Sequence, residues 1–282
     1  MDISIVIVTW NSQDFIRQCL GSILATSAES GTEVIVVDNA SSDGTARIVR
    51  ASYPEVNLIE NKTNLGYAKA NNQGIDQAQG RYVLLLNPDT RLLDHSLSSM
   101  YKFMERNPRA GAMGPRLLNP DGSTQASCRE FPGFSSLIWE FSGLSRLFPE
   151  SKIFGKWRMG YFTFDQPREV DQPMGSCLVI RKETLEQVGS FDENFSMFFN
   201  DVDLCYRIKN AGWKIYFQPD AQVIHHRGAF TRKVKRKMIW LSHLAFYKFF
   251  KKHRKGPADR FLLLLFSLPL FLSALPRMLL KR

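Results

Sequence analysis

The first ninety residues alternate short apolar runs with longer amphipathic stretches. Four runs rich in β-branched residues or leucine predict buried strands, at 2–9, 33–38, 56–60 and 82–86. Helices are predicted between them, starting after Asn11-Ser12 and running to about Ser27, starting at Asp43-Gly44, and spanning 67–79. Strands that alternate with helices in this way predict a mainly parallel sheet flanked by helices, an α/β fold.

The pattern is less regular in the second half of the chain. Residues 105–170 are rich in Pro, Gly and aromatic side chains, and we interpret them as loops and short helices on the acceptor side of a site. Regular pattern returns with a strand at 174–181, a helix from Lys182, a helix at 201–211 and a strand at 213–217. A further short run at 222–224 leads to His225 and His226.

Polar residues follow the predicted strands where ligands of open α/β sheets bind, beyond the carboxyl ends of the strands. They are Thr9, Asn11, Asp38, Asn39, Asn87 and Asp89. Asp38 and Asp43 suit contacts to a nucleoside, and they equally suit a turn and a helix cap. Asp89 suits a Mg²⁺ or Mn²⁺ ion that bridges phosphates, and it equally suits an Asn-Pro-Asp turn.

Asp201 and Asp203 open a predicted helix, and residues two apart do not share a helix face. We therefore expect different roles: one carboxylate reaches an acceptor hydroxyl, and the other pairs locally, as Asp203 would with Arg207. In the structural alternative, both acids only favour the helix dipole. A neutral His225 imidazole is a competent Mn²⁺ ligand, although a histidine at this point also suits a structural role.

Eight sequence segments, which follow one another along the chain, connect these separate candidate residues to one family. The segments include Val-Ile-Val-Thr-Trp-Asn at 6–11, Val-Val-Asp-Asn-Ala-Ser-Ser-Asp-Gly at 36–44, Asn-Leu-Gly-Tyr-Ala-Lys-Ala-Asn-Asn-Gln-Gly at 64–74 and Leu-Leu-Asn-Pro-Asp at 85–89. Gly-Ser-Cys-Leu-Val-Ile-Arg at 175–181, Val-Gly-Ser-Phe-Asp-Glu-Asn-Phe at 188–195, Asn-Asp-Val-Asp-Leu at 200–204 and Ala-Gly-Trp at 211–213 complete the set. Across residues 3–230 the sequence resembles family 2 glycosyltransferases of the GT-A fold, especially the bacterial branch of rhamnosyltransferases and other cell-envelope polysaccharide enzymes.

The resemblance implies a role for each matching residue. Asn87-Pro88-Asp89 matches the metal-binding DxD motif with Asn87 in place of the first acid, which leaves Asp89 as the direct ligand and His225 as the downstream ligand of Mg²⁺ or Mn²⁺. Asp201 matches the general base, again with an amide, Asn200, before it. The implied donor-binding residues are Thr9, Asn11, Asp38, Ser41, Asp43, Asn64, Gly66, Lys69, Asn87 and Asp89. The implied acceptor-binding residues are Gly175, Ser176, Asn200 and Asp203.

The function implied is an inverting, metal-dependent transfer of a sugar from a nucleotide-diphosphate donor to a saccharide hydroxyl. The branch favours dTDP-rhamnose, with UDP-sugars as the alternative donors. A nucleotidyltransferase is the enzymatic alternative, but 9–12 read Thr-Trp-Asn-Ser and lack the Gly and Lys that hold a triphosphate. A dinucleotide dehydrogenase is excluded by the missing GxGxxG. An inactive GT-A scaffold at a membrane is the non-enzymatic alternative.

Charge is distributed unevenly along the chain. The net charge is +10, yet residues 221–282 alone hold fifteen Lys or Arg and one acid, so the preceding 220 residues carry −4. A basic tail on an acidic body argues against a nucleic-acid-binding surface. The four cysteines, Cys19, Cys128, Cys177 and Cys205, are widely spaced, and no signal peptide precedes the first strand. We interpret them as buried thiols of a cytosolic protein.

The tail predicts contact with a membrane. Residues 232–255 carry basic side chains and no acid, and Val234, Met238, Leu241, Ala245 and Phe249 recur at helical spacing. The uncharged stretch 261–276 is interrupted by Pro269 and is short for a membrane span, so we expect it to lie in the interface. The alternative is a terminal helix packed on the body. We thus divide the chain into a catalytic domain, 1–230, with nucleotide-binding (1–90) and acceptor-binding (91–230) halves, and a membrane-associating tail, 231–282. The expected location is the cytoplasmic face of the bacterial inner membrane, and the acceptor we expect is a lipid-linked saccharide.

Overall fold

A computed structural model describes residues 2–26, 31–195, 197–226, 228 and 235–274 of the chain. Its first part follows the predicted alternation, with crossover helices joining parallel strands. These elements are β1 (Ile3–Thr9), α1 (Gln13–Thr26), β2 (Thr32–Asp38), α2 (Thr45–Ser52), β3 (Asn57–Glu60), α3 (Tyr67–Gln77) and β4 (Tyr82–Leu86). The predicted bounds of all seven elements hold to within three residues.

The second part adds antiparallel strands and further helices. The elements are β5 (Thr90–Leu92), α4 (Ser96–Arg106), β6 (Ala110–Leu118), β7 (Cys128–Arg129), α5 (Phe134–Ser142), α6 (Leu144–Leu147), β8 (Arg168–Glu169), β9 (Gln172–Pro173), β10 (Cys177–Arg181), α7 (Lys182–Val188), α8 (Asn200–Asn210), β11 (Lys214–His225), α9 (Lys235–His253) and α10 (Pro257–Leu272).

One sheet organises the fold, with strand order β3-β2-β1-β4-β10-β6-β11-β5 and β8 paired beside β11. Six strands of this order run in the same direction, because β10 is antiparallel to both β4 and β6 and thereby restores the direction. The sheet is therefore mainly parallel. Main-chain pairing aligns Cys177 with Leu86, so that the start of β10 lies beside the end of β4.

Both faces of the sheet are covered, as the continuous apolar strands predict. Ile5 and Leu84 pack into a core with α1 and α4, and their neighbours Val6 and Leu85 pack into a second core with α3 and α8. All four cysteines are buried, as predicted, and none forms a disulfide.

Two predictions for the second half of the chain are wrong. Part of the stretch predicted as loops and short helices is β6, a nine-residue strand inside the sheet. The two runs predicted after residue 212 form one twelve-residue strand, β11, whose pairing with β6 shifts between Gln218 and Gln222. At that shift, residues 219–221 have no partner on β6, which interrupts the sequence pattern without ending the strand.

The helices α9 and α10 pack on the body instead of extending from it. A third apolar core joins Leu137 and Phe195 of the body to Phe249 and Phe250 of α9 and to Leu270 of α10. Ala245 and Phe249, which we predicted to face a membrane, are 7% and 1% exposed. Packing thus continues across the predicted domain boundary at residue 230, and α9 follows the structural alternative. Val234, the first residue of the predicted apolar face, and residues 275–282 lie outside the described part of the chain.

Within the described ranges, no helix combines the length and apolar character that crossing a bilayer requires.

Candidate active site

The loops after β1 and β2 form one rigid unit at the carboxyl edge of the sheet. The hydroxyl of Thr9 donates to Oδ1 of Asp38 at 2.9 Å, and the amide of Ser41 donates to Oδ2 at 2.9 Å. Thr9 and Asp38 are buried. Each oxygen of Asp38 keeps a second lone pair, so the carboxylate is fixed in place and still has capacity to accept a hydrogen bond from a base or ribose.

Asn11 and Asp43 use their side chains to connect the same two loops. Oδ1 of Asn11 accepts the main-chain amide of Ser42 at 2.8 Å, and the main-chain amide of Asn11 donates to Ser41 Oγ at 2.9 Å. Asp43 accepts hydrogen bonds from the amides of Gln13 (2.9 Å) and Thr45 (3.0 Å), at the beginnings of α1 and α2. Burial disfavours the charge on Asp43, but the hydrogen bonds from Thr45 and Gln13 outweigh that effect and lower its pKa. Its contacts are those of the helix-cap alternative.

Asn39 connects this unit to the loop before α3. Its Nδ2 donates to Oδ1 of Asn64 at 3.0 Å and to the carbonyl of Gly66 at 3.3 Å, and its Oδ1 accepts the amide of Leu65 at 2.8 Å. Gly66 has φ +86°, a conformation that favours glycine. Lys69 lies in the first turn of α3 with an exposed side chain. The predicted donor-side residues are therefore brought to one edge of the sheet.

Asp89 and His225 meet in a buried position at the same edge. Oδ1 of Asp89 lies 3.6 Å from Nε2 of His225, and it accepts no hydrogen bond from the described residues. Burial raises the pKa of Asp89 to about 7. Gln125 orients the histidine, because its Nε2 donates to the His225 carbonyl at 2.7 Å and its Oε1 faces Nδ1 at 3.1 Å. Nδ1 is then the donor, and a neutral ring presents the lone pair of Nε2 toward Asp89.

Two acceptor atoms that face each other across 3.6 Å fit a shared cation. Two ligands of one ion, each about 2.1 Å from it, lie about 3.0–3.5 Å apart. Among the described residues no group of three His, Cys, Asp or Glu converges on one point. Such a pair matches the way Mg²⁺ and Mn²⁺ bind, with one or two protein ligands and the remaining positions taken by phosphate oxygens and water.

Asp201 lies in the first turn of α8 and is held by three donors. Its Oδ2 accepts the amide of Gly175 at 3.0 Å and Nε2 of Gln172 at 3.1 Å, and its Oδ1 accepts the amide of Val202 at 2.9 Å. Burial nonetheless raises its pKa. A side chain at position 175 would place Cβ 2.9 Å from Cβ of Asp201, so the contact requires glycine. Oδ1 keeps a lone pair for a proton.

Tyr67 and the main chain connect the Asp89 side of the site to the Asp201 side. The tyrosine hydroxyl lies 3.2 Å from Oδ1 of Asn87 and 3.3 Å from the carbonyl of Gly175. The amide of Asn87 donates to the carbonyl of Ser176 at 2.9 Å. Burial, together with the negative charges of Asp201 and Asp89, raises the pKa of Tyr67, which keeps the hydroxyl protonated as a donor.

Asp203 and Asn200 do not reach this site, and their assignment to the acceptor is a correction that the structure requires. Asp203 is fully buried and is held by Arg207 at 2.9 Å, Lys252 at 2.7 Å and His253 at 2.6 Å. The local pair with Arg207 is the one the sequence predicted. Asn200 is buried too, and its amide bonds to the main chain of Met197 and Asp201.

The contacts of four contributing residues could not be predicted from the sequence, although Asn39 was already among the polar residues at the strand ends. Gln125 and Gln172 fall in or just after the irregular stretch, so nothing in the pattern indicated that they orient His225 and Asp201. Tyr67 and Asn39 stand inside motifs whose neighbours drew attention, and only the fold shows which groups they join.

Comparison with known proteins places this geometry among sugar-transferring enzymes. Residues 4–166 match the model of glycosyl transferase family 2. An N-acetylglucosaminyl-diphospho-decaprenol L-rhamnosyltransferase of Mycobacterium tuberculosis is 32% identical over 265 residues, covering 89% of this chain and 85% of that protein. The rhamnosyltransferase WbbL of Escherichia coli K12 is 25% identical over 234 residues, covering 79% of this chain and 82% of that protein.

Solved structures identify the fold as GT-A. The mannosyltransferase PcManGT from Pyrobaculum calidifontis, in complex with GDP-Man and Mn²⁺, aligns with a TM-score of 0.60 at 20% identity, over 99% of this chain and 75% of that one. TarS 1–349 of S. aureus, in complex with UDP-GlcNAc, aligns with a TM-score of 0.55 at 18% identity, over 97% and 73%.

Proposed function

The chain belongs to glycosyl transferase family 2, and from that premise we propose that it moves a sugar from a nucleotide-diphosphate donor to a hydroxyl of a lipid-linked saccharide, with inversion at the anomeric carbon. One observation carries the proposal. Asp201, the base, and the Asp89–His225 pair lie on two sides of a link made by Tyr67 and by the Asn87–Ser176 main-chain bond. Base and leaving group thereby have separate, fixed places.

The reaction follows from that separation. The acceptor hydroxyl oxygen attacks the anomeric carbon and passes its proton to Asp201, while the bond from that carbon to the diphosphate breaks and the diphosphate leaves with the electron pair. Asp201 is half-buried, and desolvation raises its pKa, which brings its basicity closer to the pH at which the reaction runs. Three hydrogen bonds hold it in place during the transfer.

Asp89 and His225 would hold a Mg²⁺ or Mn²⁺ ion, which neutralises charge on the leaving diphosphate. Oδ1 of Asp89 faces Nε2 of His225 and accepts no hydrogen bond from any residue that the structure describes, which supports this assignment. On the nucleoside side, Thr9 orients the Asp38 carboxylate, and Asn39 holds the Asn64–Gly66 turn against it.

The donor we propose is dTDP-rhamnose, with UDP-sugars as the second choice. The names of two relatives, each a rhamnosyltransferase, support rhamnose, and the M. tuberculosis relative acts on a diphospho-decaprenol acceptor by its name. A lipid-linked acceptor places the enzyme at a membrane surface, which we propose to be the cytoplasmic face of the bacterial inner membrane.

Asp201→Asn tests the proposal. The amide cannot take the proton, so we expect transfer to fall by about 10²–10⁴-fold while the dissociation constant for the donor stays within about twofold. The measurements are nucleotide release with a donor panel and calorimetric binding of dTDP-rhamnose in the presence of Mn²⁺. Glu186→Gln, an exposed acid on α7, is the control and should match the parent. Parent-like transfer by Asp201→Asn would remove Asp201 from the base role.

A chelator tests the cation separately. Turnover should stop in EDTA and return when Mg²⁺ or Mn²⁺ is added in excess, because the diphosphate then regains its counter-charge. An unchanged rate in EDTA would contradict the metal assignment and leave the base assignment standing.

A further inference from the structure

Exposed apolar side chains are concentrated in two segments that lie about a hundred residues apart in the sequence. Among the described residues, twelve large apolar side chains are exposed, and only Trp10 and Leu24 lie outside these segments. The hairpin segment, 138–153, begins within α5 and includes α6. The second segment is the pair of helices α9 and α10. The exposed members are Ile138, Leu147, Phe148, Ile153, Trp240, Phe261, Leu264, Leu265, Leu268 and Leu272.

The exposed residues of α10 form one stripe. Positions 261, 264, 265, 268 and 272 recur at helical spacing, and the side chains there are 52–73% exposed. The opposite side of α10 packs inward through Leu263, Phe266 and Leu270. One face of α10 thus covers the core, while the opposite, equally apolar face is exposed to water. Exposed apolar patches of this kind mark interaction sites.

The two segments lie over the same core. Phe134 of α5 contacts Phe250 and Phe266, with ring centroids 4.6 and 5.8 Å apart. Trp157, just after the hairpin segment, contacts Phe246 with centroids 5.9 Å apart. The start of α5, which leads into the hairpin segment, therefore lies beside α10.

Basic residues accompany both segments. Exposed Lys and Arg side chains outnumber exposed acids in and next to them. The exposed basic residues are Arg146, Lys152 and Lys156 for the first segment and Arg236, Lys251, Lys255 and Arg260 for the second, while Glu150 is the exposed acid. Apolar residues bordered by cationic ones match the chemistry of a bilayer, whose anionic headgroups lie above apolar chains.

We propose that the hairpin segment and α10 form one composite face that docks on an anionic lipid bilayer. The proposal rests on the proposed function, because an enzyme with a lipid-linked acceptor needs a surface that binds the membrane. It replaces the detachable tail predicted from the sequence with a surface formed by two parts of the fold. A second copy of this chain is a poorer occupant, because a twofold interface would set the same basic residues against themselves.

The face also lies close to the base. Phe199 immediately precedes α8, two residues before Asp201, and its ring contacts Phe246 and Phe249 of α9 with centroids 5.1 and 5.6 Å apart. Helix α9 therefore packs against the start of α8, which carries Asp201, and also against α10.

Vesicle sedimentation of the full chain tests the composite face. The variants are Leu147→Ser with Ile153→Ser in the hairpin segment, and Leu264→Ser with Leu268→Ser in α10. We expect each double variant to bind phosphatidylcholine–phosphatidylglycerol vesicles at least about tenfold more weakly than the parent, because two exposed apolar side chains no longer enter the lipid. Leu24→Ser on α1 is the control and should bind like the parent, and binding to pure phosphatidylcholine should be weaker for all. Far-UV circular dichroism and the melting midpoint check that each variant is folded.

The outcomes separate the alternatives. If only the α10 variant loses binding, the composite face is wrong and α10 acts alone; if neither does, the face is not the membrane contact. If the substitutions turn a dimer into a monomer in sedimentation velocity, the face joins two copies and the proposal is overturned. Calorimetric binding of dTDP-rhamnose with Mn²⁺ is measured on the same samples and should be unchanged. Failure of the parent to bind any nucleotide-sugar would overturn the proposed function without affecting the vesicle result.

Discussion

The buried carboxylate of Asp89 lowers the free energy of unfolding at neutral pH, although the proposed metal site needs its charge. Its pKa is raised from 3.8 to about 7 by burial, and its Oδ1 faces a lone pair of His225. Between pH 4 and pH 7 the folded chain holds a proton that the unfolded chain lacks. The free energy of unfolding therefore falls as pH rises through that window, unless a cation balances the charge.

Asp89→Asn should reveal this opposition. Without metal at pH 8, we expect the variant to be more stable than the parent by about 2–4 kcal/mol, with the gain vanishing near pH 4, while transfer falls at least about 10²-fold. Urea unfolding in EDTA at both pH values measures the first effect, and nucleotide release measures the second. Mn²⁺ should raise the melting midpoint of the parent and leave that of the variant unchanged. Asp76→Asn, an exposed aspartate on α3, is the control, and a less stable Asp89→Asn at pH 8 would contradict the interpretation.

Gly175 lies in close contact with Asp201, the residue that we propose as the base. Adding Cβ at this position requires a contact of 2.9 Å with Asp201, so Gly175→Ala should displace the carboxylate by a fraction of an ångström. We expect kcat to fall by about 10–10²-fold with little change in donor affinity. Gly21→Ala is the matched control, because the new methyl group on α1 meets no atom within 4 Å and should stabilise the helix slightly. Equal kinetics in both variants would show that the close contact does not matter.

Helix α8 joins the site to the C-terminal helices through Asp203. Burial alone would raise the pKa of Asp203, but His253, Lys252 and Arg207 outweigh it and lower the pKa to about 2. The group therefore stabilises the fold above about pH 4, and this contribution is lost as pH falls toward 2.

Asp203→Asn should cost about 3–5 kcal/mol at neutral pH, because it leaves buried cationic groups without their counter-charge. The difference from the parent should shrink as pH falls from 4 toward 2, and urea unfolding across that range measures it. Asp220→Asn, an exposed aspartate in β11, should change little. An unchanged stability combined with a raised KM for the acceptor would instead restore Asp203 to acceptor binding.

The elements that could be predicted from the sequence are those in which the apolar residues repeat with the period of a strand or a helix. It missed β6 because Gly111, Gly114 and Pro115 usually break strands. Contacts in the folded chain explain the two glycines. A Cβ at position 111 would lie 2.7 Å from Trp213, and a Cβ at position 114 would lie 2.4 Å from Pro173. Pro115 lies past the last residue that β10 pairs, so its missing N–H costs no bond on that side.

The candidate site could also be predicted only in part from the sequence. Motif residues such as Asp89, His225 and Asp201 were predicted, because carboxylate and imidazole side chains indicate metal binding or base catalysis. The residues that orient them, Gln125 and Gln172, were not, because an amide in an irregular stretch has no pattern until the fold brings it to its partner.

On the scale of the whole chain, the C-terminal helices are part of the fold. Deleting 235–282 uncovers Leu137, Phe195 and Phe199, which α9 otherwise buries or contacts. We therefore expect the shortened chain to aggregate or to melt without a sharp transition, as measured by gel filtration and differential scanning calorimetry. Deleting only 275–282 is the control, because it leaves the described members of that core in place. A monomeric 1–234 with the parent's melting midpoint would support the detachable tail predicted from charge.

The main-chain bond from the amide of Asn87 to the carbonyl of Ser176 has an evolutionary consequence. It is formed by backbone atoms, so it survives substitution at either residue. Residues 130–167 form a long excursion between β7 and β8, and Gln125 and Gln172, which orient His225 and Asp201, lie outside it. New saccharides can be accommodated by rewriting that excursion, while the spacing between leaving group and base is inherited unchanged.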